Sequence, residues 1–421
     1  MAKFIIKGQR PLSGEIVVKG AKNLALKVIP AAILSSEKMT ISNLPKIEDI
    51  DKSLQLMSEI GFVVKEEKGK TIIEAKKAKS TDLPSKLADK FRTSIMFVGP
   101  LLARFKEVRF PHPGGCVIGA GGRPIDLFLD GFSALGAEIK IEDRFYSIKA
   151  KKLKAGNFFF PKVSVTGTES LMMTACLAEG KSVLKNCAME PEIKYLADYL
   201  NKCGAKISGA GTSTITIVGV KKIRGGDINI MPDRIEAGSF AIMAVATNSD
   251  ITIKNCEPEH LAVLLSVFKK IGVNFSIGKN WIKIKKSSNL SPYSIQTHEY
   301  PGFPTDLQSP YAVLMTQAKG MSLIHETIYD RRLIWTDMLS QMGANVTMCD
   351  PHRVVIAGPS KLYGKKLISP DIRAGIGLVI AALIAKGTTE IDNIYQIDRG
   401  YEKIDERLRK LGADIVRVDN N

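Results

Sequence analysis

One short phrase returns six times along the chain: MSEIGFVVK, FSALGAEIK, LNKCGAKIS, FKKIGVNFS, LSQMGANVT and LRKLGADIV. Its glycines, Gly61, Gly136, Gly204, Gly272, Gly343 and Gly412, recur about every 70 residues, longer than the roughly 20–50 of solenoid repeats. The repeat is therefore a small α/β unit. In each copy an amphipathic run such as KYLADYLNKC reaches a glycine and gives way to alternating strand residues, as a helix stopped by a C-terminal glycine does. A second phrase precedes the first in most copies: SSEKMTISNLP, AEGKSVLKNCA, TNSDITIKNCE, AKGMSLIHETI and AKGTTEIDNIY, each a helix end, a tight turn and a β-rich run. The copy that departs most is the second, where LLARFKEVRF runs into PHPGGC.

Three of the six glycines lie before NIMPDRIEAGSF (229–240) and three after it, so a boundary near Pro232 divides the repeats evenly. The expectation is two α/β domains with a cleft between them, the kind of place where small-molecule sites gather. Apolar and charged fractions of 45% and 24% belong to a chain that folds throughout. A net charge of +17 calls for an anionic partner, either nucleic acid or small phosphorylated and carboxylated molecules. Aromatic residues make up only 7% and no RNP-like or helix-turn-helix pattern occurs, which weighs against nucleic acid. The longest apolar run, AGIGLVIAALIA, is too short to span a bilayer, and MAKFIIKGQRP has no apolar stretch before a cleavage site, so a cytoplasmic protein is expected. Neither a C-x-x-C pair nor zinc-ligand spacing appears among the six cysteines and five histidines.

The least ordinary stretch is PHPGGCVIGAGGRPID (111–126), where glycines and prolines surround Cys116. Such a stretch reads as a loop, and Arg123 nearby is of the sign that lowers a thiol pKa, so Cys116 is a candidate nucleophile or general acid. Lys22 and Asn23, in VKGAKNLALK, stand where a strand meets a helix start; Lys22 is either an anion ligand at free helix amides or an exposed lysine. Asp306 in FPTDLQ reads as a helix cap unless it faces a site, where a carboxylate could take a proton from a hydroxyl. Arg92, Arg332, Arg373 and Arg399 supply paired donors suited to carboxylate and phosphate, although any one of them alone reads as a surface ion-pair residue. No P-loop and no strand-borne G-x-G-x-x-G is present.

Taken in order, GAKNLAL, FRTSIMFVGPLLARF, PGGCVIG, RPIDL, EPEI, PDRIEAGSF, FPTDLQ, DIRAG and IDRGYEKIDERLRKLGA resemble the enolpyruvyl transferase family over essentially the whole chain. The resemblance implies two inside-out α/β barrels (β-prisms) of three repeats each, one from 1–21 and 232–421 and one from 22–231, with the active site in the cleft between them. It implies transfer of the enolpyruvyl group of phosphoenolpyruvate to the 3′-hydroxyl of UDP-N-acetylglucosamine, with release of phosphate and no cofactor, as a step of peptidoglycan synthesis. By motif, Cys116 resembles the loop cysteine that protonates the methylene carbon and reacts with fosfomycin, and Asp306 the base at the sugar hydroxyl. Lys22, Arg123 and Arg399 resemble the phosphate-binding cations, with Asn23 beside them, and Arg332 and Arg373 those that hold the carboxylate. Arg92, Arg123, Pro124, Ile125, Asp126, Leu127, Lys162, Val163, Ser164, Val165, Asp306 and Ile328 match positions that hold the UDP-sugar.

Three features depart from the family pattern: two extra residues at Gly121-Gly122, Phe128 in place of a histidine, and VSVTGTES in place of VSVGAT. The alternatives are a transferase on the same fold with shikimate 3-phosphate or another acceptor, and a catalytically silent or nucleic-acid-binding scaffold.

Overall fold

A computed structural model describes residues 2–75, 80–88, 92–112 and 125–419. The chain divides into two units, one taking the described residues of 1–19 and 232–419, the other those of 20–231. Each has its own hydrophobic core.

In the first unit the helices Arg234–Ala246, Gln308–Met315 and Ile372–Ile384 pack on one another and are buried nearly all round. A helix that is apolar on every side belongs in a core, and three four-stranded sheets cover these three. The second unit repeats the plan with Lys22–Ala31, Ile95–Phe105 and Val165–Ala175 inside. Close approach there depends on Gly99, where a Cβ would stand 2.5 Å from Thr174 Oγ1 and 2.8 Å from Ser170 Oγ. Two of its sheets are four-stranded and one is three-stranded. The small sheet belongs to the second repeat, where an isolated bridge between Asp82 and Arg109 stands where the sister repeats have an edge strand. Helices inside and sheets outside make this the inside-out α/β architecture.

The repeated glycine ends a helix in every copy. All six have positive φ, from 83° to 101°, and the next residue's amide donates to a carbonyl five positions back, as in Phe62 to Met57 and Ala413 to Leu408. Six Schellman caps thus explain the six phrases. Among the described residues no helix is long and apolar enough to cross a membrane, and no group of three or more His, Cys, Asp or Glu is placed to hold a metal ion. Cys176, Cys187, Cys203 and Cys256 are buried, and burial pushes the Cys176 thiol up to about 12, so it has no thiolate to offer.

Candidate active site

In the first unit three sequence-singled residues come together. Asp306 lies in the 3₁₀ turn Thr305–Leu307, and its carboxylate does not cap the helix that follows. It accepts instead from Arg332 Nη2 at 2.9 Å and from Arg373 Nε at 3.0 Å. Arg373 is delivered by the helix Ile372–Ile384, whose N-cap Asp371 accepts from the amides of Arg373 and Ala374. Both guanidiniums are buried, Arg332 at 5% and Arg373 at 6% exposure. Arg373 also donates to the Tyr401 hydroxyl at 3.3 Å, which shares a hydrogen bond of 3.0 Å with Ser239 Oγ. Arg332 Nε is buried with no hydrogen-bond partner among the described residues.

Burial works to raise the Asp306 carboxyl, but Arg373 and then Arg332 outweigh it and hold the group well below the ordinary carboxylate range. Burial likewise lowers each guanidinium, and Asp306 more than restores it, so both stay charged. The constellation is a buried pair of cations, preorganised for one carboxylate and filled by the protein's own.

Arg399 closes the short helix Tyr395–Asp398 and donates to Gln396 Oε1 at 2.9 Å. Ile328 lies in a turn whose amides, with that of Tyr329, donate to Glu326 Oε1.

In the second unit Lys22 begins the helix Lys22–Ala31. It is not an exposed lysine: the side chain is buried and Nζ lies 2.7 Å from Asp49 Oδ2. Asn23 beside it is half-buried. Ser164 caps the helix Val165–Ala175, accepting from the Gly167 amide at 3.1 Å, with Val163 and Val165 half-buried and Lys162 exposed. Buried Ile125 precedes the helix Asp126–Ala134, in which Asp126 is exposed and Leu127 half-buried. Phe128, the residue found where a histidine was expected, is in the hydrophobic core. Arg92 begins a 3₁₀ turn, and its side chain lies outside the described residues, as do Cys116, Gly121, Gly122, Arg123 and Pro124.

Sequence reasoning missed Asp49, Thr305, Glu326 and Tyr401. Thr305 and Tyr401 sit inside FPTDLQ and IDRGYE, next to residues that were singled out. Asp49 carries no local signal, because its role comes from a lysine on another helix.

A model of the EPSP synthase (3-phosphoshikimate 1-carboxyvinyltransferase) family matches residues 6–408. Among curated proteins, the chain is 42% identical over 422 residues to the UDP-N-acetylglucosamine 1-carboxyvinyltransferase of Koribacter versatilis, covering 99% of this chain and 97% of that one. It is 41% identical over 418 residues to the enzyme of the same name from Desulforapulum autotrophicum, covering 99% and 100%. Among solved structures, the enolpyruvyl transferase NikO from Streptomyces tendae matches with a TM-score of 0.90 at 22% identity, covering 100% of this chain and 99% of that one. EPSP synthase from Acinetobacter baumannii matches with a TM-score of 0.75 at 19% identity, covering all of both chains.

Proposed function

The chain belongs to the EPSP synthase family of carboxyvinyltransferases, and from that premise we propose that it transfers the enolpyruvyl group of phosphoenolpyruvate to the 3′-hydroxyl of UDP-N-acetylglucosamine, releasing phosphate. This is a step of peptidoglycan synthesis on two soluble anions, and the cytoplasm is where it would run. The acceptor follows from relatives above 40% identity that are named for it, over nearly the whole chain. The observation that supports the donor is the buried arginine pair, Arg332 and Arg373, converging on a carboxylate. Phosphoenolpyruvate carries such a group beside the carbon that is attacked.

In the scheme, the sugar 3′-oxygen adds to the central carbon of phosphoenolpyruvate. Its proton passes to Asp306, and the methylene carbon takes a proton from Cys116. The tetrahedral adduct then loses a proton from that carbon and expels phosphate, restoring the double bond. Arg332 and Arg373 hold the donor carboxylate, while Lys22, Arg123 and Arg399, with Asn23, hold the phosphate as charge builds on it. A lysine fixed by Asp49 at 2.7 Å suits this task, because it does not have to be ordered when the anion arrives. Arg92, the segment 123–127, the segment 162–165, Asp306 and Ile328 are the proposed contacts of the UDP-sugar.

The test is phosphate release from phosphoenolpyruvate with UDP-N-acetylglucosamine and, in parallel, with shikimate 3-phosphate, for the native chain and Cys116→Ser. Release that requires the UDP-sugar and collapses in the variant supports the scheme. Release only with shikimate 3-phosphate reassigns the acceptor, and release with neither returns the chain to another acceptor or to a silent scaffold.

A further inference from the structure

Four of the six repeats are sealed by an asparagine, and one repeat at the site is not. Asn43, Asn186, Asn255 and Asn393 each follow a strand of their sheet, in MTISN, KSVLKN, DITIKN and TTEIDN. All four have left-handed backbone, with φ of 60°, 56°, 55° and 56°. Each side-chain amide donates to the carbonyl just beyond the parallel neighbour strand: Ile230, Phe160, Val18 and Ser369, at 2.8, 2.8, 2.8 and 2.9 Å.

In the repeat built on Gly320–His325 that position is Glu326, and its backbone is not left-handed. The equivalent carbonyl, that of Thr297, accepts from Thr327 Oγ1 at 2.5 Å. Sealing has moved one residue along the chain, so the seal does not require the Glu326 side chain. Its carboxylate is nevertheless completely buried, and three donors converge on it: Thr305 Oγ1 at 2.7 Å and the amides of Ile328 and Tyr329 at 2.9 and 3.1 Å. The Thr305 oxygen in turn accepts from Arg332 Nη1 at 2.6 Å. A hydroxyl that gives its only proton to Glu326 must present lone pairs to Arg332. The polarity of the relay is thus set at the carboxylate.

We propose that Glu326 is a positioning residue of the transfer reaction. Through Thr305 it aims the Arg332 guanidinium at the donor carboxylate, and through the two amides it shapes the Ile328 turn offered to the UDP-sugar. A locally inconsistent residue that departs from its sister repeats at a site is the expected mark of a functional constraint. The assignment rests on the enolpyruvyl-transfer reading.

Glu326→Asn installs the residue that the sister repeats use, Glu326→Gln keeps the length but removes the charge, and Thr305→Val cuts the relay while leaving both amide bonds. The native chain is assayed first for phosphate release. Thr305→Val is expected to raise KM for phosphoenolpyruvate about tenfold and to leave KM for the UDP-sugar within about twofold, since it touches only the arm that ends at Arg332. Glu326→Asn and Glu326→Gln are expected to raise both, while thermal unfolding shows them folded. A purely structural role would lower the folded fraction without separating the two KM values. Native KM for phosphoenolpyruvate in folded Thr305→Val, or in either folded Glu326 variant, overturns the assignment and leaves the transfer reading intact. A native chain that releases no phosphate with either acceptor overturns the reading and the assignment together. Should Glu326→Asn fail to fold, the Thr305→Val split still decides.

Discussion

Asp306 occupies the position that the substrate carboxylate is proposed to take, between two buried guanidiniums at 2.9 Å each. A carboxylate held this far below its ordinary range is a poor base, so in the proposed scheme phosphoenolpyruvate has to displace it before it can accept the sugar proton. Internal occupation of a site lowers apparent affinity by the fraction of time the site is closed. Asp306→Asn is therefore expected to do two opposite things: phosphate release falls roughly 10²–10⁴-fold with loss of the base, while phosphoenolpyruvate binds about tenfold tighter by calorimetry. Unchanged or weaker binding would show that Asp306 orders the arginines without blocking them. Each of the three side chains stood out in the sequence through its own motif, and the resemblance put the two arginines on one carboxylate, but Asp306 as their occupant was not legible, because ion pairs across 26 and 67 residues leave no local pattern. A second buried carboxylate makes a prediction of pH dependence. Glu169, 3.3 Å from Lys27 in the second unit, has no hydrogen-bond partner for either oxygen among the described residues, and burial outweighs the lysine to push it from 4.5 up to about 7. Between those values the folded chain holds a proton that the unfolded chain releases, so stability falls as pH rises through that window, by on the order of a few kcal/mol. Urea denaturation at pH 5 to 8 checks this: the difference in slope between the native chain and Glu169→Gln isolates the group, and equal slopes would refute it.

At the scale of elements, the Schellman glycines were legible because a helix stop needs one residue type at one place. The asparagine seals lay in the same quoted phrases, as ISN, KN, KN and DN, yet alternation alone does not show that the residue after a strand has left-handed backbone. Asparagine is suited to that position twice over, tolerating positive φ and reaching a carbonyl across the strand gap. Replacing Asn255 by alanine removes the donor to Val18 and keeps the unfavourable φ of 55°. The expected cost is about 1–3 kcal/mol, read as a lower denaturation midpoint with unchanged slope. Asn255→Gly, which relieves the backbone but not the lost bond, should fall between the two. A cost near zero for alanine would mean that the strand pairing of Asp250–Lys254 with Ser13–Val17 holds without its seal.

For the molecule as a whole, six repeats in two groups of three could be counted from glycine spacing, whereas the way each group closes could not. Ser13–Val17 pairs in parallel with Asp250–Lys254, and Lys3–Lys7 lies between Thr388–Asp392 and Asp414–Val418. Partners this far apart in sequence are invisible to a local pattern. In the second unit the closing strand is Gly226–Asn229, which joins the sheet of Met39–Ser42 and leads into Ile230 and Met231, both in the core. The unit thus completes its own first sheet with its last strand. A fragment of residues 20–231 is expected to unfold in one cooperative urea transition. A fragment ending at residue 225 loses the strand, the acceptor for Asn43 and two buried side chains, and should be less stable by about 3–6 kcal/mol from those side chains alone. Equal midpoints for the two fragments would mean that the sheet does not depend on its closing strand. A longer fragment that is itself unfolded would mean that three repeats are too few, and that the six fold only as one chain.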